Sequence, residues 1–231
     1  MLFEMQYMGD TTGGSAGIIK HLVTYEGDVT VTEEVKSSVT GTIEQERELF
    51  IGDEKKDLLI GVGIDTAMKD KQTNDYTVMY IGGLDQYGKI WILDRVKGRY
   101  GLPELVDKIV EIYERWRPFN NWIEDAAAGT PAVQTLRADL PFIPTEPVNP
   151  TAGGKISRGH ALSSALHSGQ VMFPRNAEWF ADAEYYILRF PNAEFKDDVD
   201  ALFMLVSNLL KMKHPALYTK GHRPRVRVVM K

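Results

Sequence analysis

Residues 58–65 read LLIGVGID, a short apolar run with no polar face. Such a run is typical of a strand buried on both sides of a sheet, and the glycines at 61 and 63 argue against a helix. The run ends in Asp65. An aspartate at the tip of a central strand either forms a turn or cap, or presents a ligand from a rigid platform. The run alone leaves both roles open.

The composition predicts a soluble, intracellular protein. The 231 residues are 43% hydrophobic, enough for one substantial core, and they include no cysteine, which excludes disulfides and thiolate metal sites. No segment reaches the ~20 apolar residues of a membrane span, and the N-terminus lacks a basic signal-peptide start. Residues 211–231 hold seven Lys or Arg and no acid, whereas the formal net charge of the whole chain is −5. Such a tail either contacts phosphate or is simply solvated.

The pattern around residues 58–65 predicts a mixed α/β fold. Two further strands, 76–83 and 89–94, follow with short connections and should form an antiparallel meander. Apolar spacing predicts helices at 102–116, 131–140, 155–168, 176–188 and 196–212, with short strands at 121–124 and 171–174. In the leader, residues 27–44 indicate weak or edge strands, and Glu44–Phe50 indicates a short helix.

Acidic side chains recur where these elements end or begin. Asp65 ends one strand, Glu124 and Asp125 end another, and Asp197, Asp198 and Asp200 open the last helix. Carboxyl ends of strands in α/β sheets collect ligands, so Asp65 and Glu124 should be neighbours there, with the helix start packed across them.

Such an acidic cluster predicts a metal site. Converging carboxylates need hard divalent cations such as Mg²⁺ or Mn²⁺ to offset their repulsion, and two such ions suit phosphodiester hydrolysis. Acids at helix starts also serve as ordinary caps, and this role stays open for all of them.

Several short motifs resemble, in order, the nuclease domain of phage terminase large subunits. They are GIDTA at 63–67, NDYT at 74–77, WIEDAAAG at 122–129, GKISR at 154–158, GQVMFP at 169–174 and KDDVDAL at 196–202. The resemblance covers about two thirds of the chain. It implies a ribonuclease-H-like fold and a metal-dependent endonuclease that cuts concatemeric viral double-stranded DNA during genome packaging.

The resemblance also assigns roles to the acids. Asp65, Glu124 and Asp198 become the catalytic metal ligands for two Mg²⁺ or Mn²⁺ ions, with Asp197 beside them. Asp125 is an alternative to Glu124, and Asp200 supports the site or caps the helix. On a helix Asp197 and Asp200 share a face more nearly than either does with Asp198, so which of the three points at the metal stays open.

Basic and other polar residues receive weaker assignments. Lys155 and Arg158, one helical turn apart, resemble a family pair and would hold the DNA backbone; ordinary solvation of a helix start is the alternative. Asp75 matches a family aspartate and is predicted to be a turn residue. His160 and His167 show no metal-ligand spacing and are predicted to be surface or packing residues.

The chain also departs from the family pattern. Terminase large subunits carry an ATPase motor, yet the phosphate-binding motif Gly-x-x-x-x-Gly-Lys-[Ser/Thr] does not occur in this sequence. We therefore expect residues 1–57 to be a linker or arm after an absent motor, 58–212 the nuclease domain, and 213–231 a basic C-terminal tail. The family implies the terminase small subunit and the portal protein as partners, in the host cytoplasm. The alternatives are another ribonuclease-H-like nuclease, of the resolvase or transposase type, and a non-catalytic module that docks on DNA or portal.

Overall fold

The structure is a computed structural model that describes residues 17–37, 43–66, 76–125, 128–149 and 154–212. Its strands are β1 Val23–Tyr25, β2 Val29–Ser37, β3 Ile43–Ile51, β4 Glu54–Lys56, β5 Leu59–Asp65, β6 Thr77–Leu84, β7 Ile90–Gly98, β8 Asn120–Glu124, β9 Thr145–Val148 and β10 Val171–Pro174. Its helices are α1 Leu102–Trp116, α2 Gly129–Asp139, α3 Lys155–His167, α4 Phe180–Arg189 and α5 Asp197–Leu209. Asp75 and the basic tail from residue 213 lie outside the described residues.

A seven-stranded mixed sheet organises the fold, in the order β1-β10-β7-β6-β5-β8-β9. The predicted meander is confirmed, because β5 pairs antiparallel with β6 and β6 with β7. β5 also pairs in parallel with β8, with Ile64 opposite Ile123. The predicted mixed α/β class is therefore correct, and β5 lies between its antiparallel and parallel neighbours.

Helices cover both faces of this sheet. One apolar core contains buried residues of α3, α4 and α5, among them Leu166, Ile187 and Leu205. The other contains buried residues of α1 and α2, among them Ile109 and Leu136. Successive side chains of β5 point to opposite faces, so Val62 and Ile64 enter the second core, whereas the alternating Gly61 and Gly63 face α5. None of the helices in the described segments is long and apolar enough to cross a bilayer.

The leader differs from its prediction in two ways. β1 is the edge strand of the large sheet and pairs in parallel with β10, so part of the expected arm belongs to that sheet. The helix predicted at Glu44–Phe50 is wrong, because these residues lie in β3, which pairs with β2 and β4 in a second, three-stranded sheet. Leu49 and Ile51 are two residues apart, share one face of β3 and are buried in the core with α1. That burial outweighs the helix preference of the charged residues before them.

Candidate metal centre

Asp65 and Glu124 meet at the carboxyl edge of the large sheet. Each is the last residue of its strand, and the strands are parallel neighbours. Trp122, two residues before Glu124, lies in the core with α5, so Glu124 points toward the same layer. Gly129 at the start of α2 fits only as glycine, because a Cβ there would stand 2.0 Å from the carbonyl oxygen of Glu124. The main chain that carries Glu124 is thus packed against α2.

The carboxyl group of Asp65 is 6% exposed and lies among other acids. Burial raises its pKa well above the ordinary value of 3.8, and a hydrogen bond and charge interaction with Glu124 raise it further. The charges of Asp200 and Asp197 act in the same direction on the pKa. Two carboxyl groups can share a hydrogen bond only if one of them holds a proton. Burial and the neighbouring acids, Glu124 first among them, therefore favour the protonated form of Asp65.

The helix α5 reaches this pair because glycine leaves room for it. A Cβ on Gly63 would stand 2.5 Å from the carbonyl oxygen of Ala201 and 2.6 Å from the amide nitrogen of Leu205. The main chain of α5 therefore rests directly on β5, two residues before Asp65. This contact brings the first turn of α5 to the strand tip, where Asp200 is buried and Asp197 is half-buried. The amide of Tyr76 donates a hydrogen bond to Asp197 Oδ2 at 3.2 Å.

Asp198 lies elsewhere, in a buried ion pair. Its Oδ1 accepts from Nε of Arg95 at 2.7 Å, and its Oδ2 accepts from Nη2 of the same residue at 2.8 Å. The hydroxyl of Tyr80 also donates to Oδ1, at 2.8 Å. Both carboxylate oxygens are thus engaged by the sheet. The acids that interact with Asp65 are instead its strand neighbour Glu124 and the two helix residues Asp200 and Asp197.

Arg95 and Tyr80 were not singled out in the sequence. They lie directly opposite each other in the sheet, Arg95 on β7 and Tyr80 on β6. If side chains alternated strictly along β7, Arg95 would lie on the face opposite to that of Ile90 and Ile92. A β-bulge corrects the count: Gly82 pairs with Ile92 and Ile81 with Asp94, which leaves Leu93 without a register partner. An arginine within the otherwise largely apolar start of the strand IWILDRVKG was the sequence feature that could have indicated a buried ion pair.

The remaining predicted residues have separate surroundings. Asp125 Oδ1 accepts from the Thr130 hydroxyl at 2.9 Å, so this side chain is bonded to the first turn of α2. Arg158 Nη2 lies 2.7 Å from Asp200 Oδ1, which puts its guanidinium at the acidic cluster.

The other predicted basic residue, Lys155, begins α3, but its side chain lies outside the described part of the structure. His160 is exposed, and His167 Nε2 accepts from the Lys20 amide at 2.9 Å. Burial, together with the charges of His21 and Lys20, lowers the pKa of His167.

The acidic cluster offers the oxygen ligands that hard divalent cations prefer, but its side chains do not have the geometry of a metal site in this structure. Within the described ranges, no group of three or more His, Asp or Glu side chains stands ready to hold a metal ion. The donors are all oxygens, and every interaction that shifts the pKa of Asp65 disfavours its charged form. A divalent cation offsets such repulsion and favours the deprotonated carboxylates. The residues therefore fit Mg²⁺ or Mn²⁺ chemistry.

Comparison with known proteins identifies a family and a shared fold. Residues 62–209, well over half of the chain, match the family model described as the terminase RNaseH-like domain. No curated protein matched significantly.

Solved structures of similar fold include the large terminase nuclease of thermophilic phage G20c with bound magnesium, at TM-score 0.54 and 16% identity over 84% of this chain and 98% of that chain. The same nuclease with bound cobalt gives TM-score 0.55 and 15% identity, with the same two coverages. The Thermus phage P74-26 large terminase nuclease domain gives TM-score 0.51 and 16% identity over 83% of this chain and 91% of that one. At these identities the structures show a shared fold. On the family match, the chain belongs to the terminase RNaseH-like nuclease domains.

Proposed function

We propose that this chain is a metal-dependent endonuclease that cuts concatemeric viral double-stranded DNA during genome packaging. The observation that carries the proposal is the meeting of Asp65 and Glu124 at the ends of two parallel neighbouring strands, with Asp200 and Asp197 also acting on Asp65. Acids are kept together at a cost in stability where a cation uses them. The magnesium and cobalt bound in nucleases of similar fold support the same choice of ligand.

In this proposal Asp65, Glu124 and Asp200 hold the metal, with Asp197 as a further ligand. Asp198, predicted from the family resemblance, is replaced by Asp200, because Arg95 already engages both oxygens of Asp198. Two Mg²⁺ or Mn²⁺ ions in such a site supply an activated water and stabilise the leaving oxygen of a phosphodiester.

The protein itself supplies orientation and substrate contacts. Strands β5 and β8 fix two carboxylates at their tips, and α5 presents the others from a rigid first turn. The guanidinium of Arg158 is held at the rim of the cluster by Asp200, where a DNA phosphate bound at the metals would lie within its reach. Lys155, one turn earlier on α3, stays a predicted phosphate contact. Such contacts position the DNA without reading its sequence.

Supercoiled-plasmid cleavage tests the proposal, with wild type in Mg²⁺, Mn²⁺ or EDTA beside Asp65→Asn, Asp200→Asn and Asp198→Asn. Asp107→Asn, on an exposed position of α1, is the matched control. We expect nicked and linear products that require metal, persist in Asp107→Asn, and vanish in Asp65→Asn and Asp200→Asn. Full cleavage by Asp200→Asn, with none by a folded Asp198→Asn, would return the third ligand position to Asp198.

Calorimetry with Mn²⁺ separates an inactive enzyme from a protein without a site. Because the raised pKa of Asp65 favours its protonated form and a metal binds the carboxylate, binding should release protons, seen as a heat that changes with the ionisation enthalpy of the buffer. Wild-type protein that neither cleaves DNA nor binds Mn²⁺ would refute the nuclease and favour a docking module. Binding with proton release but no cleavage would support the site and point to a nuclease that needs its motor.

A further inference from the structure

A charge network centred on the buried pair Arg95–Asp198 joins β7 to α4 and α5, and it has no role in the proposed chemistry. Arg95 engages Asp198 through two parallel N–H donors, at 2.7 and 2.8 Å, and its third nitrogen donates to Asp182 Oδ2 at 2.8 Å. The side chains of Arg95 and Asp198 are 3% and 1% exposed. Removing two charges from water is costly, so a buried pair of this kind adds little net stability over apolar residues of similar volume. The presence of this buried ion pair, rather than apolar side chains, therefore needs an explanation other than stability.

The network fixes one carboxylate from several directions. Arg95 and Tyr80 are cross-strand neighbours, and both donate to Asp198 Oδ1. Lys97 Nζ, two residues further along β7, lies 3.8 Å from Oδ2. The planar guanidinium and the hydroxyl together permit few orientations of the carboxylate. Asp198 is therefore a fixed point between the sheet and the first turn of α5.

A fixed point at Asp198 sets the rotation of α5 about its own axis. Successive helical residues are ~100° apart, so Asp197 and Asp200 lie ~60° from each other while Asp198 points elsewhere. A rotation of ~20° would carry carboxylate oxygens at the helix surface through ~2 Å. Metal ligands must lie within about 0.2 Å of their ideal distances. The rotation of α5 therefore decides whether Asp197 and Asp200 can serve the site.

We propose that Arg95 is a positioning residue for the metal centre: its bidentate contact with Asp198 sets the rotation of α5 that aims Asp197 and Asp200 at Asp65 and Glu124. The inference rests on the proposed function. Arg95 reaches the ligands only through Asp198 and Tyr80, and it touches neither metal nor DNA in this role.

The test compares Mn²⁺ affinity with thermal stability in a set of variants. Arg95→Met breaks the contact, and Arg95→Lys keeps the charge without the planar fork. A triple variant, Arg95→Met with Asp198→Leu and Tyr80→Phe, replaces the polar trio with apolar side chains. Arg115→Met is the matched control, since Arg115 pairs with Asp94 of the same strand at 3.5 Å and is 60% exposed. Mn²⁺ dissociation constants are measured by calorimetry below the onset of unfolding of every variant.

We expect Arg95→Met to weaken Mn²⁺ binding about 10-fold or more in the folded protein, as loss of a ligand-orienting contact does elsewhere. Arg95→Lys should recover part of that loss. The triple variant should regain thermal stability but not Mn²⁺ affinity, and Arg115→Met should change neither.

Wild-type Mn²⁺ affinity in folded Arg95→Met or in the triple variant would overturn the proposal and leave Arg95 a purely structural residue. Wild type that binds no Mn²⁺ would instead refute the metal centre itself, and the positioning role with it.

Discussion

Replacing Asp65 with asparagine should stabilise the protein when metal is absent. The Asp65 carboxyl has a raised pKa because of burial, its contact with Glu124, and the nearby Asp200 and Asp197. The folded state therefore holds a proton that the unfolded state releases once the pH rises above the ordinary value of 3.8. This group thus lowers the free energy of unfolding progressively as the pH rises from about 4. An asparagine amide would donate to Glu124 without binding a proton.

The size of the effect is bounded by the proton that the carboxyl must retain. Keeping a group of pKa 3.8 protonated at pH 7 costs at most about 4 kcal/mol, and relief of such sites commonly yields about 1–2 kcal/mol. We expect Asp65→Asn to raise the free energy of unfolding by about 1–4 kcal/mol at pH 7 in EDTA, and Tm by roughly 3–12 °C.

Thermal unfolding by circular dichroism at pH 4 and pH 7 in EDTA measures the change, with Asp107→Asn as the exposed control. At pH 4 the gain should fall to about 0.6 kcal/mol, because the wild-type carboxyl is then close to half-protonated in the unfolded state as well. Mn²⁺ at 100 times its dissociation constant should stabilise only the wild type, by about 2.7 kcal/mol. A lower Tm for Asp65→Asn than for wild type at pH 7 in EDTA, or a gain that does not change with pH, would refute the reasoning.

Three further predictions concern the surroundings of the site. Gly63→Ala should lower the free energy of unfolding by about 1–3 kcal/mol and weaken Mn²⁺ binding, because the added Cβ would push α5 off β5. Denaturant unfolding measures the stability and calorimetry the Mn²⁺ affinity. Unchanged Mn²⁺ affinity would contradict the link between this contact and the metal site. Arg158→Gln should tighten Mn²⁺ binding, since Asp200 loses a competing cation. The same change should weaken DNA binding in EDTA and reduce the slope of log affinity against log salt concentration by about one. A change of the Mn²⁺ and DNA affinities in the same direction would count against the assignment of Arg158 as a phosphate contact. Asp85→Ala should lower the free energy of unfolding by about 1–3 kcal/mol without changing Mn²⁺ affinity, because Asp85 accepts hydrogen bonds from two backbone amides of the β6–β7 turn and from the Trp91 indole. Chemical denaturation measures the loss of stability. A loss of less than about 0.5 kcal/mol, about the error of the method, would argue that solvent replaces these hydrogen bonds.

The sequence was most informative where local pattern and topology agree. The run at 58–65 has no polar face and holds two glycines, which favoured a central strand over a buried helix. The adjacency of Asp65 and Glu124 follows from parallel strands that end at the same edge. It was misleading at Glu44–Phe50, where a charged segment with helix-forming residues is held as a strand by the burial of Leu49 and Ile51.

The choice among Asp197, Asp198 and Asp200 could not be made from helical spacing alone. Spacing gives the angles between the three side chains but not the rotation of the helix that carries them. That rotation follows from the partner of Asp198, and Arg95 faces Asp198 only because the pairing of β6 and β7 slips by one residue. Strict alternation along β7 puts Arg95 on the wrong face of the sheet, so the pattern alone could not pair it with Asp198.

The slip at Leu93 has a consequence for how relatives of this chain should be compared. Because Leu93 has no register partner, a chain that lacked it would keep Arg95 opposite Tyr80 and lose only a buried leucine. Length variation is therefore compatible with function at this point of a buried strand, where insertions and deletions are usually excluded. An alignment that forbids a gap there would match Arg95 with the wrong residue and make a shared arginine look unconserved.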